Sequence, residues 1–147
     1  MKVILIDYGS GNLKSAAKAL ERAGKETGKN FNVVVSKKAA ELKNASHIVL
    51  PGVGSFGDCK KGLESIPGLT EEISRQVVEI GKPFLGICVG MQLLAEKGLE
   101  YGEHRGLNLI PGLVRPINLK GKKLKIPHMG WNTVKIAQPH FIFRGFQ

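Results

Sequence analysis

Short apolar runs and longer amphipathic segments alternate along the first 97 residues of the chain. The runs are rich in Val and Ile and are bounded by Gly, Asp or Pro, which is typical of strands buried in a parallel sheet. The segments between them carry apolar residues at helical spacing. The pattern predicts strands at residues 3–6, 31–35, 48–50 and 84–87. It predicts helices from Asn12, as a cap, to Gly24 and at residues 39–42, 56–63, 70–81 and 89–95.

The alternation changes after Gly98. Residues 109–117 and 124–136 have strand character that is interrupted by prolines, and they suggest a hairpin-like excursion at one edge of the sheet. Alternating strands and helices predict an α/β fold in which an open, mainly parallel sheet carries helices on both faces. We expect residues 1–147 to form a single domain.

The chain is basic, with 22 Lys and Arg against 12 Asp and Glu and a formal net charge of +10. Such a charge suits nucleic acid, a membrane surface or a phosphorylated ligand, but also an ordinary lysine-rich surface. The charges are scattered and no aromatic residues interleave with them, which favours the ordinary surface. We therefore expect neither a nucleic-acid nor a membrane partner.

Two cysteines, Cys59 and Cys88, are too few for a disulfide framework and fit a reducing cytosol. No apolar stretch reaches the roughly 18 residues of a membrane helix. The N-terminal apolar run is followed at once by Asp7, so we interpret it as a first strand and not as a signal peptide. These features predict a cytoplasmic protein.

Residues 86–90, GICVG, carry the strongest chemical signal. Cys88 lies between two glycines, after a predicted strand and before a predicted helix, which is the cysteine form of a nucleophile elbow. The helix N-terminus favours thiolate over thiol, and the N–H of Val89 is placed to hold an oxyanion. A buried structural cysteine at a strand end is the alternative, but the strand–turn–helix context favours a nucleophile.

Two other glycine-rich loops are predicted at the same carboxyl edge of the sheet. Residues 51–57, PGVGSFG, could offer backbone N–H groups to an anion or could be an ordinary tight turn. Residues 7–12, DYGSGN, contain a G-x-G, but Lys14 stands where a dinucleotide fingerprint requires its third glycine. A dinucleotide site is therefore not expected.

Four segments together resemble one family, the glutaminase subunit of imidazole glycerol phosphate synthase, a class I glutamine amidotransferase with a flavodoxin-like fold. They are DYGSGNL at 7–13, LPGVGSFGD at 50–58, GICVGMQLL at 86–94 and PHMGWN at 127–132. GICVGMQ with PGVG fits several class I amidotransferases. DYGSGN and PHMGWN favour the histidine-pathway subunit.

The resemblance implies hydrolysis of glutamine to glutamate and ammonia, with the ammonia passed to a (β/α)-barrel cyclase partner in a heterodimer. The cyclase then makes imidazole glycerol phosphate and an aminoimidazole carboxamide ribotide. No cofactor and no metal are implied. By similarity Cys88 forms the glutamyl thioester, and the oxyanion and glutamine are held by Gly52, Val53, Gly54, Val89 and Gln92. The residues that resemble positions facing the cyclase are Asn12, Met129, Trp131 and Asn132; plain core packing remains an alternative for Trp131.

One family element is missing from the sequence. The family draws its general base and the carboxylate that orients it from a C-terminal His-Pro-Glu segment, and no such segment occurs here. We therefore expect the chain to be part of a longer protein. Two alternatives stay open, a subunit that feeds a different synthase and a docking subunit without catalysis.

Overall fold

The computed structural model describes residues 1–121, 123 and 125–145. Its main sheet has four parallel strands, in the spatial order β2-β1-β3-β4. They are β1 (Lys2–Ile6), β2 (Asn32–Ser36), β3 (His47–Gly52) and β4 (Phe84–Cys88). Because the strands are parallel, the loops that follow them meet at one edge of the sheet. The α/β fold predicted from the sequence is confirmed.

Helical segments follow each of the first three strands. They are α1 (Leu13–Glu26), a 3₁₀ segment (Ala39–Asn44), α2 (Phe56–Glu64) and α3 (Leu69–Ser74), which runs into a π-helical turn (Arg75–Glu79). The α1 helix continues two residues past its predicted end at Gly24. The left-handed Gly28, with a φ of 67°, ends it, and the N–H groups of Gly28 and Lys29 bind the carbonyls of Lys25 and Gly24.

Apolar side chains pack on both faces of the central strands β1 and β3, whereas Leu85 and Ile87 of β4 are exposed. On one face, Ile4, Ile6, Ile48 and Leu50 are fully buried with residues from α2 and α3. On the other, Val3, Leu5 and Val49 pack against the apolar stripe of α1. Successive strand residues thus alternate between two cores. This packing holds the strands in place and therefore fixes where the loops at the carboxyl edge begin.

The helix predicted at residues 89–95 is wrong in its length. Helix α4 covers only Val89–Gln92, and Ala95 already belongs to a strand. The carbonyl of Leu93 accepts a hydrogen bond from Leu107 N, and that of Leu94 accepts from Leu109 N and Ile110 N. These long-range partners replace the next helical turn.

The hairpin predicted at the edge of the main sheet is also corrected. A separate three-stranded sheet forms instead, with the order β6-β5-β7. Its strands are β5 (Ala95–Gly98), β6 (His104–Arg105) and β7 (Ile110–Val114). The β5–β6 pair is antiparallel and the β5–β7 pair is parallel.

Two compact units make up the chain, Met1–Pro116 and Ile117–Gln147. Both sheets belong to the first. In the second, the strand predicted at residues 124–136 is not formed by the described residues of that range; Leu124 lies outside them. Its described apolar side chains, such as Met129 and Val134, are exposed, and strand structure needs a pairing neighbour. A short 3₁₀ turn (Phe141–Phe143) is the regular element described there.

Candidate active site

Cys88 ends strand β4 at the carboxyl edge of the sheet, and α4 begins at the next residue. Its backbone angles are φ 55° and ψ −119°, and its side chain is exposed. A residue other than glycine pays a conformational cost at positive φ, and such strain is typical of functional turns. The sharp turn lifts the sulfur away from the strand and toward solvent. This is the geometry of a nucleophile elbow.

The two glycines flanking Cys88 are required by close backbone approaches. A Cβ at Gly90 would lie 2.0 Å from the carbonyl oxygen of Leu50, on the adjacent strand. A Cβ at Gly86 would lie 2.5 Å from the Cα of Met91. Neither glycine has a positive φ, so glycine is required at both positions because a side chain would not fit, and not because of the backbone conformation. The G-x-C-x-G spacing therefore lets the turn sit tightly on strand β3.

The loop after β3 lies directly beside the cysteine. Gly52 is the register partner of Cys88 in the β3–β4 pair. A Cβ at Gly52 would lie 2.6 Å from the backbone nitrogen of Gly90, and Gly54 adopts a left-handed φ of 97°. The structure thus brings Gly52, Cys88 and Val89 together, as expected from the sequence.

Ser10 engages both backbone polar groups of Val53. Its hydroxyl donates to the Val53 carbonyl at 2.7 Å and accepts from the Val53 N–H at 2.9 Å. Cys59 approaches the same carbonyl, with its Sγ 3.2 Å from the oxygen. In this arrangement the N–H of Val53 is occupied by Ser10 and is not free to bind an oxyanion.

Tyr8 is buried beneath the same loop, and its hydroxyl donates to the carbonyl of Pro51 at 2.7 Å. Burial raises the pKa of Tyr8 well above its ordinary value of 10.0, and the interactions with Cys59 raise it further, while the hydrogen bond with Ser10 lowers it. Tyr8 therefore stays a neutral hydrogen-bond donor at pH values where an exposed tyrosine ionises.

Reasoning from the sequence did not assign Tyr8, Ser10 or Cys59 to the site. No role in the site was expected for Cys59, whereas its sulfur contacts the loop beside Cys88. The signal available was the polar run 7–12 at the edge where the cysteine also lies. The hydrogen bonds that link it to residues 51–53 span about 43 positions of sequence and leave no local pattern.

The protein-family model described as glutamine amidotransferase class-I matches residues 4–147. The chain belongs to this family. The match covers the cysteine turn and both neighbouring loops, so the amidotransferase resemblance of these segments is confirmed.

Curated relatives from several bacteria are also similar to the chain. The imidazole glycerol phosphate synthase subunit HisH of Rhodospirillum rubrum is 49% identical, over 100% of this chain and 69% of its own length. The subunits of the same name from Brucella suis and Agrobacterium fabrum are 47% and 46% identical, over 67% and 68% of their lengths. The chain thus spans about two thirds of each of these relatives.

The remaining residues implied by the resemblance fall in different places. Gln92 is the last residue of α4 and is half-buried, one helical turn beyond Cys88. Asn12 caps α1, since its side chain accepts from the N–H of Ser15 at 3.2 Å. Met129, Trp131 and Asn132 are exposed in the second unit. Trp131 is fully exposed in the described structure.

The first unit has two histidines, His47 and His104. None of the contacts that the structure describes places either of them against Cys88 as a general base. His47 opens β3, at the opposite end of the strand from the loop beside Cys88, and its Nδ1 lies 3.1 Å from Ser46 Oγ. His104 packs on α2, where a Cβ at Gly57 would lie 2.7 Å from its ring. His128 and His140 belong to the second unit.

Among the described residues, no group of three or more His, Cys, Asp and Glu side chains could hold a metal ion. None of the described helices is both long and apolar enough to cross a membrane.

Proposed function

We propose that this chain is a glutaminase that hydrolyses glutamine to glutamate and ammonia within an imidazole glycerol phosphate synthase. The observation that carries the proposal is the left-handed turn at Cys88, which exposes a thiol beside the Gly52–Val53–Gly54 loop. The names of the most similar relatives support the choice of synthase.

In the proposed reaction the thiolate of Cys88 attacks the side-chain carbonyl carbon of glutamine. The carbonyl oxygen becomes an oxyanion, and the carbon–nitrogen bond breaks as the leaving amine takes up the proton that the Cys88 thiol gave up and departs as ammonia. Water then hydrolyses the thioester and releases glutamate with the free thiol. The chemistry requires no cofactor or metal.

The oxyanion needs hydrogen-bond donors aimed at its position. The N–H of Val89 belongs to the first turn of α4, where backbone donors have no partner within the helix. The N–H of Val53 can serve only after it leaves Ser10. Gln92 would hold the substrate glutamine, and Gly52 and Gly54 would let the loop approach it closely.

No histidine among the 147 residues is assigned here as the general base. The exposed cysteine turn supports catalysis. A subunit that binds its synthase partner but does not turn over glutamine by itself is the second candidate function, and the ammonia measurement below separates the two.

The proposed partner is a (β/α)-barrel cyclase that receives the ammonia, in a heterodimer in the cytoplasm. Asn12, Met129, Trp131 and Asn132 are the proposed contacts. All four side chains are exposed, and exposed Met and aromatic residues are enriched at protein interfaces. A different ammonia-using synthase is the alternative partner.

Ammonia release from glutamine tests the proposal, measured with and without the cyclase, for the natural chain and for Cys88→Ala. We expect release that depends on Cys88 and increases when the cyclase is present. Binding to the cyclase without any Cys88-dependent release would support the docking subunit. Stimulation by another synthase and not by the cyclase would contradict the proposed partner.

A further inference from the structure

Tyr8 lies between the end of strand β3, at Pro51 and Gly52, and helix α2. Its hydroxyl donates to the carbonyl of Pro51 at 2.7 Å, and a Cβ at Gly52 would lie 2.7 Å from the same hydroxyl. The other side of the tyrosine is closed by α2, because a Cβ at Gly62 would lie 2.8 Å from the Tyr8 carbonyl and 3.0 Å from its ring. The side chain is almost fully buried and has little room to move.

The residues that Tyr8 holds are those next to the nucleophile. Pro51 and Gly52 are the register partners of Ile87 and Cys88. Beyond them, the described hydrogen bonds to the backbone of Val53 come from two side chains, Ser10 and Cys59. The Tyr8 hydroxyl thus fixes the loop at the point where it leaves the sheet.

We propose that Tyr8 is a positioning residue that anchors the loop Gly52–Val53–Gly54 beside Cys88, so that the N–H of Val53 reaches an oxyanion formed there once it has left Ser10. This inference rests on the proposed function. Tyr8 donates its proton to Pro51 and not to the substrate, so it acts only through the loop. Its loss leaves the Pro51 carbonyl without this buried donor, and the loop then moves relative to the sulfur.

Two reactions of Cys88 separate this role from a general structural one. Acylation by the γ-(4-nitrophenyl) ester of glutamate develops an oxyanion, and the nitrophenolate leaves without needing a proton. Alkylation by iodoacetamide is a displacement at carbon that develops no oxyanion. Both are measured on the full chain, for the natural protein, Tyr8→Phe and Tyr101→Phe. Tyr101 is exposed and serves as the matched control.

For Tyr8→Phe we expect the single-turnover burst of nitrophenolate to be slowed by about tenfold, since misplacement at a reacting centre has effects of this order or larger. We expect alkylation to change by less than about twofold, because the thiol itself keeps its turn. Tyr101→Phe should match the natural chain in both. Unchanged acylation in Tyr8→Phe, or an equal loss in both reactions, would overturn the inference.

Hydrogen exchange at the N–H of Val53 tests the inference without any turnover of substrate. Faster exchange in Tyr8→Phe than in Tyr101→Phe is expected, because the loop has lost one of its fixed points. Equal exchange in the two variants would overturn the inference. A natural chain that shows no burst beyond that of Cys88→Ala would contradict the proposed function instead.

Discussion

At the scale of single residues, the turn at Cys88 could be predicted and the contacts around it could not. A cysteine between two glycines, after an apolar run and before a helix, matches the pattern of a nucleophile turn, and the structure places Cys88 between a strand and a helix. Tyr8 and Ser10 were missed because their partners, Pro51 and Val53, lie about 43 residues away. A hydroxyl in a glycine-rich loop has many possible partners, and only the fold selects one.

The raised pKa of Tyr8 predicts a specific dependence of stability on pH. Because its pKa is higher in the folded than in the unfolded chain, its contribution is fully present below the ordinary value of 10.0 and is lost as pH rises toward the folded value. Between the ordinary value and the folded value, ionisation of this tyrosine in the unfolded chain lowers the free energy of unfolding by about 1.4 kcal/mol per pH unit. Urea unfolding at pH 8 and pH 11 measures the loss.

Tyr8→Phe removes the titrating group and isolates its effect from that of the lysines. At pH 8 the natural chain should be more stable than the variant by about 1 kcal/mol, the value of a typical hydrogen bond. At pH 11 this difference should shrink or reverse, while Tyr101→Phe should follow the natural chain at both. A difference that is the same at both values of pH would contradict the assignment.

At the scale of elements, the main sheet was predictable and the segment after Cys88 was not. Four short apolar runs define the strands, and the structure places them within one or two residues of the prediction. Helix α4 was overestimated because residues 89–95 are locally suited to a helix. The backbone donors of Leu107, Leu109 and Ile110, which end it, come from a later part of the chain.

The contact between α4 and β3 predicts the effect of Gly90→Ala. The added Cβ would meet the backbone oxygen of Leu50 at 2.0 Å, so the whole turn must shift. We expect a loss of about 3 kcal/mol in the free energy of unfolding, measured in urea. Gly28→Ala is the comparison, since nothing lies within 4 Å of its Cβ and only its φ of 67° is unfavourable. It should lose about 1 kcal/mol, and equal losses in the two variants would contradict the packing.

At the scale of the whole molecule, the described strands, the α-helices and both apolar cores belong to Met1–Pro116. The single domain expected for residues 1–147 stays a prediction. Strand character at residues 124–136 was predicted from the local sequence alone. Pairing partners decide whether such a segment forms a strand, and the local sequence does not report them.

This division predicts that a chain ending at Pro116 keeps its fold. Its cooperative unfolding in urea should have nearly the midpoint of the natural chain, because no member of either core is removed. Circular dichroism and the urea transition check this. A broad transition, or a truncated chain that is unfolded without urea, would show that Ile117–Gln147 supports the core.

The most direct test of a glutaminase site at Cys88 is labelling by a chloromethyl ketone built on the glutamine skeleton, followed by peptide mass spectrometry. The account predicts one adduct per chain, on Cys88 and not on the buried Cys59, and protection by free glutamine. Two results together would contradict a glutamine site at this cysteine: glutamine does not slow the labelling of Cys88, and iodoacetamide labels Cys88 as readily as the chloromethyl ketone does.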